Sequence, residues 1–435
     1  MNLPAYPKYK KSGVGILGDV PEHWDVKRLK FLGKSIIGLT YNPSDICNEA
    51  EGTLVLRASN IQNGQIIFSD NVYVSSPIPS NLTTRPGDIL VCSRNGSRRL
   101  VGKSGKITKA EAGHSFGAFT TVFRSSHSDF MFYYFNSGLV SQQAGLFQTS
   151  TIYQLTTGIL NEMWTTIPDQ VEQQKIADFL DWKTGQIDAL IAKKKLLIEK
   201  LKEKRLALIT HAVTKGLNPN AKMKASGIPW LGDVPEHWEV RRLKMSARLT
   251  DKKVEADKEN SMPYIGMENI ESWTGKLLPL DADVVPSGVA SMFLKCNTLF
   301  GKLRPYLAKA CNPNFDGLCS TELLVIDSDD FDKRALLYLL LSEGFIDLVD
   351  SSTYGSKMPR ANWDFVGNCL LPVPSLTEQQ KIADFLDQNT KQIDALIAKN
   401  QQLIEKLTEY RTALITAATT GKIDVRGVEI KEGAD

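Results

Sequence analysis

The sequence predicts an α+β protein: two β-rich mixed globules separated by two long helices that pair as an antiparallel coiled coil, with a pseudo-two-fold internal repeat. Three observations predict it. Leu17 to Trp24 reads LGDVPEHW and returns unchanged at Leu231 to Trp238, 214 residues on. Glu172 to Asp181 reads EQQKIADFLD and returns unchanged at Glu378 to Asp387, 206 residues on. Between these blocks the two halves scarcely resemble each other, and their short apolar runs alternate as strands do.

Composition bounds the rest. With 42% apolar and 23% charged residues over 435 positions, the chain has the make-up of an ordinary globular protein with several cores. It has no apolar run of about 18 residues, so no membrane span is expected. The N-terminal MNLPAYPKYKKSG lacks a hydrophobic signal core, which makes the cytoplasm the expected address. The six cysteines (Cys47, Cys92, Cys296, Cys311, Cys319, Cys369) form no CxxC pair and lie away from the histidines. Neither a metal site nor a disulfide framework is expected, only reduced and mostly buried thiols. A net charge of +3 is small, so any site for a polyanion has to be local.

In chain order, residues 1–170 form the first globule and open with the repeated segment 8–30. Its second copy, 222–244, opens the second globule at 218–377. Each copy reads as an extended, turn-rich stretch that tucks Trp24 or Trp238 into the next domain. The strand grammar lies in TLVLRASNI, GDILVCS and FGAFTTVF, then in MPYIGMENI, NTLFGKL and TELLVID, with a helical piece at Phe331–Leu341. The long helices cover 171–217 and 378–421, and 422–435 is a tail. Asp169-x-x-Glu172 after Pro168, and Ser375-x-x-Glu378 after Pro374, are capping-box starts; Gly216 and Gly421 are the stops.

Within the helices a stripe at alternating steps of three and four predicts the seam. It runs through Ile187, Leu190, Lys194, Leu197, Leu201, Lys204 and Leu208, then through Ile393, Leu396, Asn400, Leu403, Leu407, Tyr410 and Leu414. Lys194 and Asn400 are polar at core-type positions and would fix register. Two related units pack most simply about a two-fold axis, which makes the helices antiparallel and sends the globules to opposite ends.

Several motifs mislead. Gly13-Val-Gly15-Ile-Leu-Gly18 matches GxGxxG, but no strand precedes it, Pro21 follows, and the second copy has Pro229 in place of the middle glycine. Gly102-Lys103-Ser104 resembles a P-loop end, yet five residues separate Gly96 from Gly102 where four are needed. Asn312-Pro-Asn-Phe315 reads as a turn. HExxH, GxSxG and a convincing nuclease pattern are all missing, so no catalytic residue is assigned.

What remains is basic loops at matching places. Between Arg85 and Lys109 lie seven cations, among them Arg94, Arg98, Arg99, Lys103 and Lys106, against the single acid Asp88. Lys295, Lys302, Arg304 and Lys309 cluster in the second globule with no acid between them. Asn95 and Tyr306 add neutral hydrogen-bonding groups. Cations bind phosphates without reading sequence, whereas Arg, Asn and Gln reach base edges, so these loops are the candidate DNA surface. Arg57, Asn60 and Gln62 align by pattern with Met267, Glu268 and Asn269. Lys357 and Arg360 align at the 206 offset with Thr151 and Gln154.

These residues resemble a known family. A variable domain, a P-x-x-x-EQQKIADFLD helix running on through IDALIAK and LIEKL, LGDVPEHWEVRRLK, then a second variable domain and helix, is similar to the specificity subunit of type I restriction–modification systems. YIGMENIESWTGKL and FGKLRPYLAKA are similar to that family's target-recognition domains. The resemblance covers essentially the whole chain. It implies a non-catalytic subunit whose two recognition domains each bind one half of a split, asymmetric double-stranded DNA site. The helices act as a ruler for the gap and dock two methyltransferase subunits, and restriction/translocase subunits join them. S-adenosylmethionine, ATP and Mg are then expected on the partners and none on this chain. Independently, two domains at opposite ends of a coiled coil suit major-groove faces about 34–36 Å apart per turn. The rival expectations are a self-contained methyltransferase or nuclease, which the missing motifs disfavour, and a DNA-independent coiled-coil scaffold.

Overall fold

The computed structural model describes residues 3–146, 154–256, 262–280, 288–353, 355 and 357–430. Thr151, aligned above with Lys357, lies outside them. Two compact units divide the chain: Met1–Lys194 with Gln402–Asp435, and Lys195–Gln401. Each therefore holds the first half of one long helix and the second half of the other.

In the first unit, Ser104–Lys106, Ile89–Cys92, Thr120–Arg124 and Lys34–Ile37 form an antiparallel sheet in that order. A second sheet runs Ser115–Phe116, Thr53–Leu56, Tyr73–Val74 and Ile46–Cys47, its first pair parallel. Strand alternation explains why Ile89–Cys92 is apolar throughout. Leu90 and Cys92 enter a core with Leu54, Leu56 and Phe116, while Ile89 and Val91 enter the core that holds the helices.

The second unit repeats this plan. Arg248–Leu249, Leu323–Asp327, Thr298–Gly301 and Ala310–Cys311 form one sheet, and Lys253–Ala256, Gly288–Phe293, Gly317–Cys319 and Tyr264–Ile265 the other. Leu299 and Phe300 likewise point into different cores. The expected helical piece is Lys333–Leu340, capped by Asp332. Ser128–Phe135, Gly138–Leu146 and Glu343–Ser351 add helices that the sequence reading did not single out. Cys92, Cys311, Cys319 and Cys369 are buried, and burial pushes the Cys311 and Cys319 thiols up to about 12.

The repeated segments form hairpins, Tyr9–Lys11 with Asp19–Pro21 and Met223–Ala225 with Asp233–Pro235. The GxGxxG glycines sit in the first hairpin's turn, with no helix to receive a phosphate. Trp24 and Trp238 are fully buried, each in the core of the globule that its segment opens, as the sequence predicts. Each indole closes over a helix end: Gly421 has φ 69° beside Trp24, and Gly216 has φ 76° beside Trp238. The Lys422 ammonium donates to Leu17 O and Asp19 O, as Lys215 does to Leu231 O and Asp233 O. A Cβ on Gly421 would lie 2.4 Å from the Pro21 ring, whereas one on Gly15 meets nothing within 4 Å. Gly421→Ala is expected to cost about 1–2 kcal/mol from the left-handed backbone alone, with the overlap added. Gly15→Ala is expected to be neutral, and denaturant unfolding of the two variants checks the contrast.

The long helices run Gln170–Lys215 and Leu376–Thr419. Asp169 Oδ1 accepts from Glu172 N at 2.9 Å and Ser375 Oγ from Glu378 N at 3.3 Å, so the N-cap half of each box forms. The Glu172 carboxylate turns instead to Tyr6 and His23.

Half of the predicted seam is displaced by one residue. Ile187, Leu201, Leu208 and Lys194 face inward, as do Ile393, Asn400, Leu407 and Leu414, but Leu190 and Leu197 are 42% exposed and Leu396 and Leu403 also face outward. Ile191, Ile198 and Arg205 take the inner places, and Ile397, Ile404 and Arg411 take them in the second helix. The spacing of seven is kept, and the inner phase is the one that carries the isoleucines, the buried Arg205 and the half-buried Arg411. In the second unit Arg205 Nε meets Asp394 Oδ1 at 3.1 Å; in the first, Arg411 Nε meets Asp188 Oδ1 at 2.9 Å. Both members of one pair are 206 residues from those of the other, so each unit makes the same contact once. Within each unit the helix segments run antiparallel: Gly216 meets Glu378 where Arg205 meets Asp394, and Thr166 meets Thr419 where Asp188 meets Arg411.

Candidate nucleic-acid interface

In the first unit the basic loop joins Ile89–Cys92 to Ser104–Lys106. Cys92 N donates to Lys103 O at 2.8 Å and Ser93 N to Phe119 O at 2.9 Å, which anchors both ends. The Arg94 guanidinium lies over the Phe119 ring, 5.3 Å from its centroid, and Phe119 is itself 60% exposed. Arg98 and Arg99 project from the single turn Arg98–Leu100 and have no partner among the described residues. Arg57 donates to Asp70 Oδ2 at 2.6 Å. Tyr41, Arg57, Asp70, Arg94, Asn95 and Phe119 line a cavity of about 430 Å³. Its mixture of aromatic, cationic and amide groups suits a base edge rather than a bare phosphate.

Other predicted contacts prove to be internal. Asn60 is fully buried: its amide donates to Ile67 O and Ser69 O, and its Oδ1 accepts from Arg57 N. Asn269 does the same work in the second unit, accepting from Gly266 N at 2.8 Å. The backbone therefore aligns Ala58–Asn60 with Met267–Asn269, so Asn60 matches Asn269 and the pattern alignment was shifted. Lys103 reaches Ala58 O at 3.4 Å and Lys309 reaches Met267 O at 2.6 Å, each holding that turn. Lys106 pairs with Asp129. Asn60, Asn269, Lys103 and Lys309 are thus engaged in holding the turns of the fold, and Lys106 in a partly exposed ion pair.

In the second unit Arg304 and Tyr306 are exposed around the turn Pro305–Leu307, with Arg304 at φ 50°. Lys357 is exposed, Lys302 is half-buried, and Arg360 makes a two-pronged pair with Glu322 at 3.1–3.2 Å. Phe119, Tyr41 and Glu322 escaped the sequence reading. An aromatic or acid beside a cation loop becomes visible only when strand pairing is known. Among the described residues no group of three or more His, Cys, Asp or Glu could hold a metal ion, and no helix is long and apolar enough to cross a membrane.

The family model described as Type I restriction modification DNA specificity domain matches residues 21–200 and 235–406, well over half of the chain. The chain is similar to the Type I restriction enzyme EcoDI specificity subunit of Escherichia coli, 25% identical over 293 residues, 63% of this chain and 65% of that one. It is also similar to the Type I restriction enzyme StySPI specificity subunit of Salmonella potsdam, 23% identical over 430 residues, 93% of this chain and 90% of that one. A solved chain from work on complex assembly and conformational transition of the type I R-M system matches with a TM-score of 0.68 at 14% identity. That match covers 92% of this chain and 98% of the other, and the likeness is one of fold.

Proposed function

This chain belongs to the type I restriction–modification DNA specificity family, and we propose that it is the sequence-reading subunit of a methyltransferase and endonuclease complex. Each unit reads one half of a bipartite double-stranded site. The observation that carries this reading is the recurrence of exposed cations on one loop frame in both units: Arg94, Arg98 and Arg99 in the first, and Arg304 in the second, where exposed Lys357 lies three residues before Arg360, the bridge partner of Leu303. Neither a self-contained methyltransferase or nuclease nor a DNA-independent scaffold draws support from the comparisons.

In this reading the helices set the gap between half-sites and dock two methyltransferase subunits, with restriction/translocase subunits joining. The outward rows Leu190–Leu197 and Leu396–Leu403 support the docking, since apolar side chains at the same place in both copies are left without an internal partner. S-adenosylmethionine, ATP and Mg belong on those partners, and the complex works in the cytoplasm.

The test is to reconstitute the chain with its methyltransferase partner and map N6-methyladenine on DNA by single-molecule sequencing. A split motif is expected. Exchanging residues 31–170 for another member's domain should change one half of it only. Methylation without a motif, or a change in both halves, would overturn the reading.

A further inference from the structure

Internal duplication lets the two units be superposed position by position through their hydrogen bonds. Cys92 N→Lys103 O matches Gly301 N→Lys309 O, at 2.8 and 2.7 Å. Ser93 N→Phe119 O matches Lys302 N→Glu322 O, both 2.9 Å. The isolated antiparallel bridge Arg94↔Gln154 matches Leu303↔Arg360. Lys103 and Lys309 grip equivalent turns from below. The backbone frame is thus the same in both units, while the three positions it presents differ in class. They are Arg94, Phe119 and Gln154 in the first, and Leu303, Glu322 and Arg360 in the second.

A shared frame with unlike side chains is what two different words need. We propose that these positions are the base-reading triplet of each unit, and that in the first unit Arg94 reads a guanine. This rests on the DNA-reading function above and names the residues that carry it. The guanidinium is a rigid fork that meets guanine O6 and N7 two-pronged. Phe119 beneath it fixes the plane of the fork without consuming a donor, since the contact is made through the ring face. Leu303, at the matching place, offers no donor, so the second unit reads a different base there. Arg98 and Arg99, one turn on and without a planar support, serve phosphates instead.

The experiment selects bound duplexes from a random-sequence library with the complete complex of chain and methyltransferase partners. Arg94→Leu is expected to relax one G·C position in one half-site by roughly tenfold to a hundredfold. The other half-site should be unchanged, which also reports that the variant is folded. Arg94→Lys keeps the charge and loses the fork, and should relax the same position while leaving the salt dependence alone. Arg98→Ala should weaken all sequences alike. Preferences unaltered in both Arg94 variants, or a loss spread evenly over every position, would overturn the assignment. An unmodified complex that selects no sequence at all would instead remove the DNA-reading function on which it rests.

Discussion

Replacing Arg94, Arg98 and Arg99 together by alanine is expected to weaken binding of specific DNA several hundredfold at about 0.1 M salt, and to flatten its salt dependence. The magnitude follows from the two roles. Arg98 and Arg99 are exposed cations without an internal partner among the described residues, so their removal leaves no carboxylate stranded and the fold intact. Each phosphate they neutralise contributes about 0.9 to the slope of log K against log salt, so two of them account for roughly 1.8. Because that contribution fades toward 1 M, the loss at 0.1 M is roughly 60-fold on any sequence. Arg94 adds about a further tenfold on the specific site, where it meets a base edge. Titration of specific and non-specific duplexes at several salt concentrations separates the two parts. Equal affinity of variant and unmodified complex at moderate salt would count against the loop as a DNA surface.

How far the sequence carried this is clearest at particular residues. Perfect repeats made the architecture legible, because identical blocks at fixed offsets demand one scaffold used twice. Caps and stops at Asp169, Ser375, Gly216 and Gly421 were legible for the same reason: each is a local bond or a local φ. The seam was half legible. Leu190 and Ile191 are equally apolar neighbours, and only packing decides which of them faces in. The same ambiguity placed Lys204 rather than Arg205 inside, since a buried arginine needs a carboxylate across the seam that no single helix displays. On the candidate surface, charge was legible and its use was not. Lys103 and Lys309 look like DNA-contacting cations in sequence, yet each satisfies a carbonyl of a turn more than forty residues away along the chain. Asn60 fails for a related reason: a turn asparagine whose amide meets three acceptors has nothing left for a base.

The ion pairs at the seam give the sharpest test of how much burial matters, because the repeat supplies its own control. Arg205→Ala and Arg411→Ala remove the same side chain from equivalent positions, yet their costs should differ several-fold. Arg205 is 8% exposed and faces Asp394 at 16%, and its two terminal nitrogens also donate to Trp273 O at 2.8 Å and Thr274 O at 3.0 Å. Breaking it leaves a largely buried carboxylate and two carbonyls that have lost their donor, for which about 3 kcal/mol is the expected cost. Lys276, 2.8 Å from Asp394, holds the figure to the lower end of that range. Arg411 faces Asp188, which is 46% exposed, and water replaces the arginine when it goes. There the expected cost is about 1 kcal/mol or less. Denaturant unfolding of the full chain, with hydrogen exchange to locate the loss in the second unit, measures both. Equal costs would mean that the Trp273–Thr274 loop contributes nothing through Arg205. A far larger cost at 205 would tie the loop that carries Trp273, whose N–H donates to Ala308 O beside the exposed Tyr306, to the register of the helices beneath it.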